Sequence, residues 1–365
     1  MKKTSWPDSR LLRLLGIELP IIQAPMAGPN DSKLAIAVSS AGGLGSLPCA
    51  LLSADQVKSE WALIRSATQR PVNLNFFCHE APVPDPEAEQ RWRDRLAVYT
   101  REFGLDPAAP YPPSNRNPFD EIACDLVERL RPEVVSFHFG LPREDWLARV
   151  QATGAKVLST ATTVAEARWL AERGCDAIIA QGWEAGGHRG MFLSQDLATQ
   201  VGTLALVPQV VDAVTVPVIA AGGIADARGI AAAFALGAAG VQLGTAYLFC
   251  PEARVSAVHA KALRGGDEDG EQPTALTNLF TGRPARGIQN RLMREVGPMS
   301  NLSPAFPLAG GAVGPLRAKA EQQGSGDFSP LWAGQAVRLV QRDMSAGELT
   351  RQLADQALQA LSRRD

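Results

Sequence analysis

Residues 181–190 read Gln-Gly-Trp-Glu-Ala-Gly-Gly-His-Arg-Gly, which sets one imidazole among four glycines within nine residues. Glycine has no Cβ, so backbone amides in such a stretch can approach a ligand closely. His188 is the side chain type best suited to moving a proton near neutral pH. The stretch follows an apolar run, residues 177–180, short enough for a buried strand. A strand that empties into a loop of this composition has the form of a site, although a flexible loop carrying a surface histidine has the same composition. The remaining elements decide between the two.

Further chemistry-bearing residues recur at comparable places. Gly222-Gly223 and Gln242-Leu243-Gly244-Thr245 each follow an apolar run. Glycine amides beside a helix N-terminus present unpaired donors to an anion, so the pair reads as a phosphate site, whereas either turn alone would read as a tight turn. Ala24-Pro25-Met26 and Asn75 end two earlier runs. The amides of Asn75 and Gln181 suit a planar heterocycle with donors and acceptors along one edge, as in a flavin, with Asn73 competing for the Asn75 role. Met26 could pack beneath such a ring, or serve as an ordinary core methionine. His138 ends an aromatic run and is either a second pocket histidine or a packed one.

The elements that must position these residues alternate apolar runs with amphipathic helical stretches. Eight strands are predicted, starting near residues 21, 43, 71, 134, 156, 177, 217 and 240. Asp31 or Ser32 can cap the helix after the first, Thr163 with Glu166 forms a capping box, and Asp226 caps a helix that Gly237 closes. Residues 174–182 align with 237–245 at constant offset, a weak internal βα repeat. Near-continuous apolar strands separated by helices imply parallel pairing, and eight such units favour a TIM (β/α)8 barrel over an open sheet. No GxGxxG opens the first helix, so a dinucleotide fold has no fingerprint. The predicted organisation is a barrel over residues 1–265 with a proline-rich insertion at about 81–118. A small lid or second domain follows over 266–331, opening with a polar turn at 265–270, and residues 332–365 return to the barrel as a helix. In this architecture the strand C-termini carry the chemistry, where the chemistry-bearing residues named above fall.

Composition narrows the partners. With 45% apolar and 20% charged residues and a net charge of −2, the chain can bury a large core and has no basic stripe for nucleic acid. The five cysteines are odd in number, widely spaced and lack a CxxC pair, so reduced thiols are expected and no metal cluster. Lys2 and Lys3 lead into Trp6-Pro7-Asp8 rather than an apolar signal core, and no window has about 18 uninterrupted apolar residues. A cytoplasmic monomer or homodimer is expected, with no membrane partner.

The segments at 23–28 (QAPMAG), 136–140 (SFHFG), 160–163 (TATT), 184–190 (EAGGHRG) and 221–224 (AGGI) resemble the nitronate monooxygenase family, in particular its class I branch. Supporting pieces lie at 282–287 (GRPARG) and 329–335 (SPLWAGQ), and the similarity runs from about residue 17 to 340. The resemblance implies a TIM barrel with non-covalent FMN that oxidises alkyl nitronates, such as propionate 3-nitronate, with O2. Carried over by position, it implies FMN contacts at Ala24, Pro25, Met26, Asn75, Gln181, Gly186, Gly223 and Gln242 through Thr245, and a catalytic role for His188. The proline-rich insertion departs from the family pattern and bears on substrate size and access.

These residues suit that chemistry. A neutral imidazole can remove the acidic C–H of a nitroalkane; toward a nitronate that is already ionised it would instead donate a hydrogen bond. Glu184 and Arg189 are expected to pair or face solvent, His79 and His259 to be structural, and Arg283 and Arg286 to be lid contacts for an anionic substrate. The competing readings are a flavin-dependent NAD(P)H:quinone or enoyl reductase on the same barrel, or a flavin-binding protein without turnover. An enzyme built like inosine-monophosphate dehydrogenase would need a nucleophilic cysteine where this loop has His188.

Overall fold

The computed structural model describes residues 5–111, 114, 116–265 and 272–362; Lys2, Lys3 and the polar turn expected at 265–270, beyond Gly265 itself, lie outside them. Eleven strands form among these residues. They are β1 Ile21–Gln23, β2 Gly45–Pro48, β3 Val72–Phe77, β4 Val134–His138, β5 Lys156–Ala161, β6 Ala177–Gln181, β7 Gly187–His188, β8 Val218–Ala221, β9 Gly240–Leu243, β10 Thr274–Thr277 and β11 Ala285–Ile288. Eight of them pair in parallel in the order β1-β9-β8-β6-β5-β4-β3-β2. Leu44 and Ile21–Gln23 close the ring, with Gln23 N donating to Leu44 O at 2.9 Å and Leu44 N to Ile21 O at 3.0 Å. The fold is the TIM barrel expected from the eight apolar runs.

Strand alternation sorts the side chains into layers. In β6, Ile178 and Ala180 face the outer helices while Ala177 and Ile179 join an inner layer with Ile22, Leu158 and Ile219. Helix Arg10–Leu15 plugs the lower end of the barrel with Leu11 and Leu15. At the upper end the inward positions turn polar: Asn73, Asn75, Ser136, Thr160 and Gln181 are buried there.

Local chemistry sets the helices between strands. Asp31 caps Ser32–Ser40 and Asp226 caps Ala227–Ala235, as expected, and Gly237 ends the latter at φ 90°. Thr163 caps Val164–Glu172, but the capping box is only half formed. The Glu166 carboxylate turns instead to Thr162 N at 2.6 Å and Phe192 N at 2.7 Å, tying the fifth strand's end to the loop after the sixth.

A second core lies beyond the barrel. Trp92, Leu96 and Tyr99 of helix Pro86–Glu102, from the proline-rich insertion, pack with Leu279, Phe280, Leu292 and Phe328 and with Val313 and Leu316 of helix Ala309–Gln322. Trp92 Nε1 donates to Ala309 O at 3.2 Å. Insertion and C-terminal region are therefore one structural cover. Strands β10 and β11 pair antiparallel, and β11 also pairs with β7, with Ala285 opposite His188. Helix Ala346–Ser362 returns to the barrel, where Thr350 Oγ1 meets Tyr247 Oη at 2.7 Å. Among the described residues no helix is long and apolar enough to cross a membrane.

Candidate active site

One pocket opens over the strand C-termini, between the barrel and the cover. It is lined by Ala24, Pro25, Met26, Asn75, His138, Gln181, Gly186, His188, Gly222, Gly223, Gln242, Gly244 and Thr245. Leu243, expected among the flavin contacts, lies elsewhere: it is fully buried among the outer helices. The reason is strand alternation, since Gln242 points in and its neighbour must point out. Asn73, the competitor for Asn75, also falls outside; its Nδ2 bonds to Ser46 Oγ and Ser136 Oγ one layer deeper.

The floor is glycine-rich. Gly222 and Gly223 follow β8 at φ 105° and 71°, and a Cβ on Gly222 would come 3.0 Å from Ala185 N. The amides of Gly222, Gly223 and Gly244 find no acceptor among the described residues. A Cβ on Gly186 would meet Gly334 N at 2.5 Å, so the loop lies directly on the returning chain. The Gln242 Oε1 atom is buried without a partner, and Asn75 donates only to Ser136. Buried polar groups are normally satisfied, so an open carboxamide oxygen beside a row of free amides marks the place of a polar ligand.

Gln181 serves the loop itself: Nε2 donates to His188 O at 2.9 Å and Oε1 accepts from Gly190 N at 2.8 Å. Arg189 and Glu184 do not pair, and Arg189 does not face solvent. Arg189 is fully buried, donating to Gly182 O at 2.6 Å, Gln181 O at 2.8 Å and Gln200 Oε1 at 2.9 Å. Glu184 accepts from Thr203 N at 2.9 Å and Thr203 Oγ1 at 2.8 Å. Both hold the shape of the loop that carries His188.

The two strand-end histidines differ in what is left free. His138 is committed on both sides, to Thr160 Oγ1 at 3.1 Å and to the His188 carbonyl at 3.3 Å. A carbonyl only accepts, so Nε2 carries the proton there and Nδ1 accepts from Thr160. His188 Nε2 lies 3.0 Å from Thr281 Oγ1, and that hydroxyl in turn donates to Arg283 O at 3.4 Å. The hydroxyl proton being used, His188 Nε2 is the donor, which leaves the Nδ1 lone pair with no partner among the described residues. Rings of Phe306 and Trp332 stand 5.4 and 5.6 Å from that of His188.

Both imidazoles are neutral. Burial pushes His138 down to about 3, helped by the charge of Arg283, and pushes His188 well below its ordinary value, helped by Arg116. His259, expected to be structural, donates to Trp332 O at 3.1 Å from the pocket wall, and burial lowers it to about 4. His79 is buried against Phe306 at 4.7 Å. Neither expected lid arginine lines the pocket. Arg286 is spent on Trp183 O and Thr274 Oγ1. Arg283 donates to Met191 O and lies 4.0 Å over the Phe139 ring. Phe139 itself sits at φ 72°, a strained backbone at the end of β4.

Sequence reasoning did not find Arg116, Thr281 or Trp332. Arg116 and Trp332 line the pocket, and Thr281 orients His188. All three come from irregular segments whose placement depends on the second core. No carboxylate lines the pocket among the described residues, and Arg116 and Arg283 both disfavour a positive charge on His188, so the field at that ring is positive.

Residues 8–356 match the family model described as nitronate monooxygenase. A nitronate monooxygenase from Pseudomonas aeruginosa is 41% identical over 353 residues, covering 95% of this chain and 98% of that protein. The crystal structure of a nitroalkane oxidase from Streptomyces ansochromogenes superposes with a TM-score of 0.88 at 38% identity, over 98% of this chain and 100% of that one. FabK from Thermotoga maritima follows at a TM-score of 0.71 and 26% identity, over 97% of both chains.

Proposed function

This chain belongs to the nitronate monooxygenase family, and from that membership we propose that it binds FMN at the pocket floor and oxidises alkyl nitronates with O2 to a carbonyl compound and nitrite. Propionate 3-nitronate is a representative substrate. The observation that carries the reading is the pairing of an anion-accepting glycine floor with a neutral histidine in a positive pocket that no carboxylate enters.

The residues present fit the cofactor. The free amides of Gly222, Gly223 and Gly244 suit its phosphate, while Gln242 Oε1 and Asn75 suit the polar edge of its ring, with Met26 against the ring face. When bound, the flavin supplies the electron acceptor that a nitronate needs before it reacts with O2. The protein's own residues bind and orient the anion. His188 Nδ1 faces the substrate as a lone pair, held there by Thr281. Because burial and Arg116 disfavour the imidazolium, His188 is a weak base toward a neutral carbon acid at neutral pH. An anion in the pocket offsets those charges and lets His188 hold a proton against it. The electrostatics thus favour the ionised nitronate over the neutral nitroalkane. His138, with both nitrogens engaged, acts through the His188 backbone rather than on substrate.

Of the lid expected over residues 266–331, the described residues 272–331 act as a cover on the barrel, in concert with the insertion that shares their core. The free cysteines accord with a cytoplasmic setting. The test is the visible spectrum of the purified protein together with O2 uptake. A yellow protein that consumes O2 with propionate 3-nitronate and releases nitrite is expected. A protein that oxidises NADH with a quinone, but takes up no O2 with a nitronate, would sink the reading in favour of a reductase.

A further inference from the structure

Arg116 lines the pocket, yet it has no carboxylate partner among the described residues. Its backbone N donates to Ser114 Oγ at 3.2 Å, while its guanidinium makes no hydrogen bond among the described residues. Burial lowers its pKa, and the other charge acting on it is that of another cation, Arg317. A half-buried guanidinium with no counter-ion carries a desolvation cost, so it is kept where a ligand completes it. Arg283, the other cation near the histidines, is already occupied by Met191 O and the Phe139 ring.

The segment that delivers Arg116 is pinned on both sides. Upstream, the Tyr111 hydroxyl meets Glu89 Oε2 at 3.1 Å, Arg93 covers its ring at 4.0 Å, and a Cβ on Gly311 would run into that ring. Downstream, Phe119 N donates to Phe77 O at 2.7 Å, and the Phe119 ring packs on Phe76 at 5.1 Å. Arg116 is thus held over the strand ends from the cover side, whereas His188 rises from the barrel side.

We propose that Arg116 is a specificity-determining residue that binds a second anionic group of the substrate, away from the carbon that reacts. The insertion then selects nitronates that carry a carboxylate, because a fixed guanidinium can receive that group in a bidentate pair. This inference rests on the nitronate reading of the same pocket.

The test compares propionate 3-nitronate with propyl 1-nitronate, which lacks the carboxylate, on the flavin-loaded wild type and the Arg116→Gln and Arg116→Lys variants. Arg116→Gln is expected to raise KM for propionate 3-nitronate about 10- to 100-fold and to change KM for propyl 1-nitronate less than about threefold, while any change in kcat from the charge lost beside His188 is shared by both substrates. Arg116→Lys should recover part of the loss. Equal losses on both substrates, or no loss on either, would overturn the assignment. Calorimetric binding of 3-nitropropionate and 1-nitropropane without turnover reads the same contact and distinguishes the two readings. If the wild type oxidises neither nitronate, the reaction assignment fails, while a binding loss confined to 3-nitropropionate in Arg116→Gln still supports the Arg116 contact. Equal binding of both probes in wild type and variant refutes it.

Discussion

The floor of the pocket and its roof are made by different kinds of chain. The floor comes from consecutive βα turns, Ala24 through Thr245, each fixed by the strand before it and the capped helix after it. The roof comes from Arg116 and Trp332, with Thr281 and Phe306 against His188, brought together only when the insertion packs against the C-terminal region over Trp92 and Phe328. One surface is built by local rules and offers backbone amides. The other depends on long-range packing and offers side chains with charges and rings. The division fits a reaction in which a constant cofactor lies on one side and a variable substrate on the other.

Three experiments can break that division. The largest effect is expected from His188→Asn, which should reduce turnover about 100- to 10,000-fold while visible absorbance shows the flavin still bound. Loss of flavin with the histidine would mean that the two surfaces are not separate. A converse change on the floor, Gly222→Val, puts a branched side chain at φ 105° and 3.0 Å from Ala185 N. Strain of about 1–3 kcal/mol there should reduce flavin retention roughly 10- to 100-fold, measured as flavin per protein after gel filtration. Full occupancy in that variant would show that the floor is not where the phosphate sits.

A smaller effect is expected in acid. His138 is held near 3 and His259 near 4, against an unfolded value near 6.5. Between those values the unfolded chain binds more protons than the folded one, so stability is complete above about pH 6.5 and is lost as pH falls toward 4. Each histidine contributes up to about 1.4 kcal/mol per pH unit. Urea midpoints measured from pH 7 to 4 should fall accordingly, and a flat profile would show that these rings are not buried neutral. His259 ties Trp332 of the cover to helix Ala257–Arg264, so His259→Gln should make the profile shallower without loss of flavin.

What could be read in advance follows the same division. Runs of apolar residues with glycine turns gave all eight barrel strands, and hence the row of strand ends, because each is a local pattern. Leu243 was assigned to the pocket because a motif was taken whole; the two-residue period of a strand assigns Gln242 inward and Leu243 outward. Arg189 reads as a partner of Glu184 or a solvent-facing residue since nothing in the loop's composition reveals that its guanidinium caps the carbonyls of Gln181 and Gly182. Arg116 and Thr281 carried no signal at all, being single residues in irregular chain that acquire their roles only from the second core.

The pairing of β7 with β11 gives the chain a mechanical property. His188 is a rung of the cover's sheet, set opposite Ala285, and its ring is braced by Thr281. The barrel holds the same residue from the other side, since Gln181 and His138 both reach the His188 carbonyl. One histidine is thus a rivet between the two bodies, and its alignment depends on the fit of cover to barrel as well as on the loop that carries it.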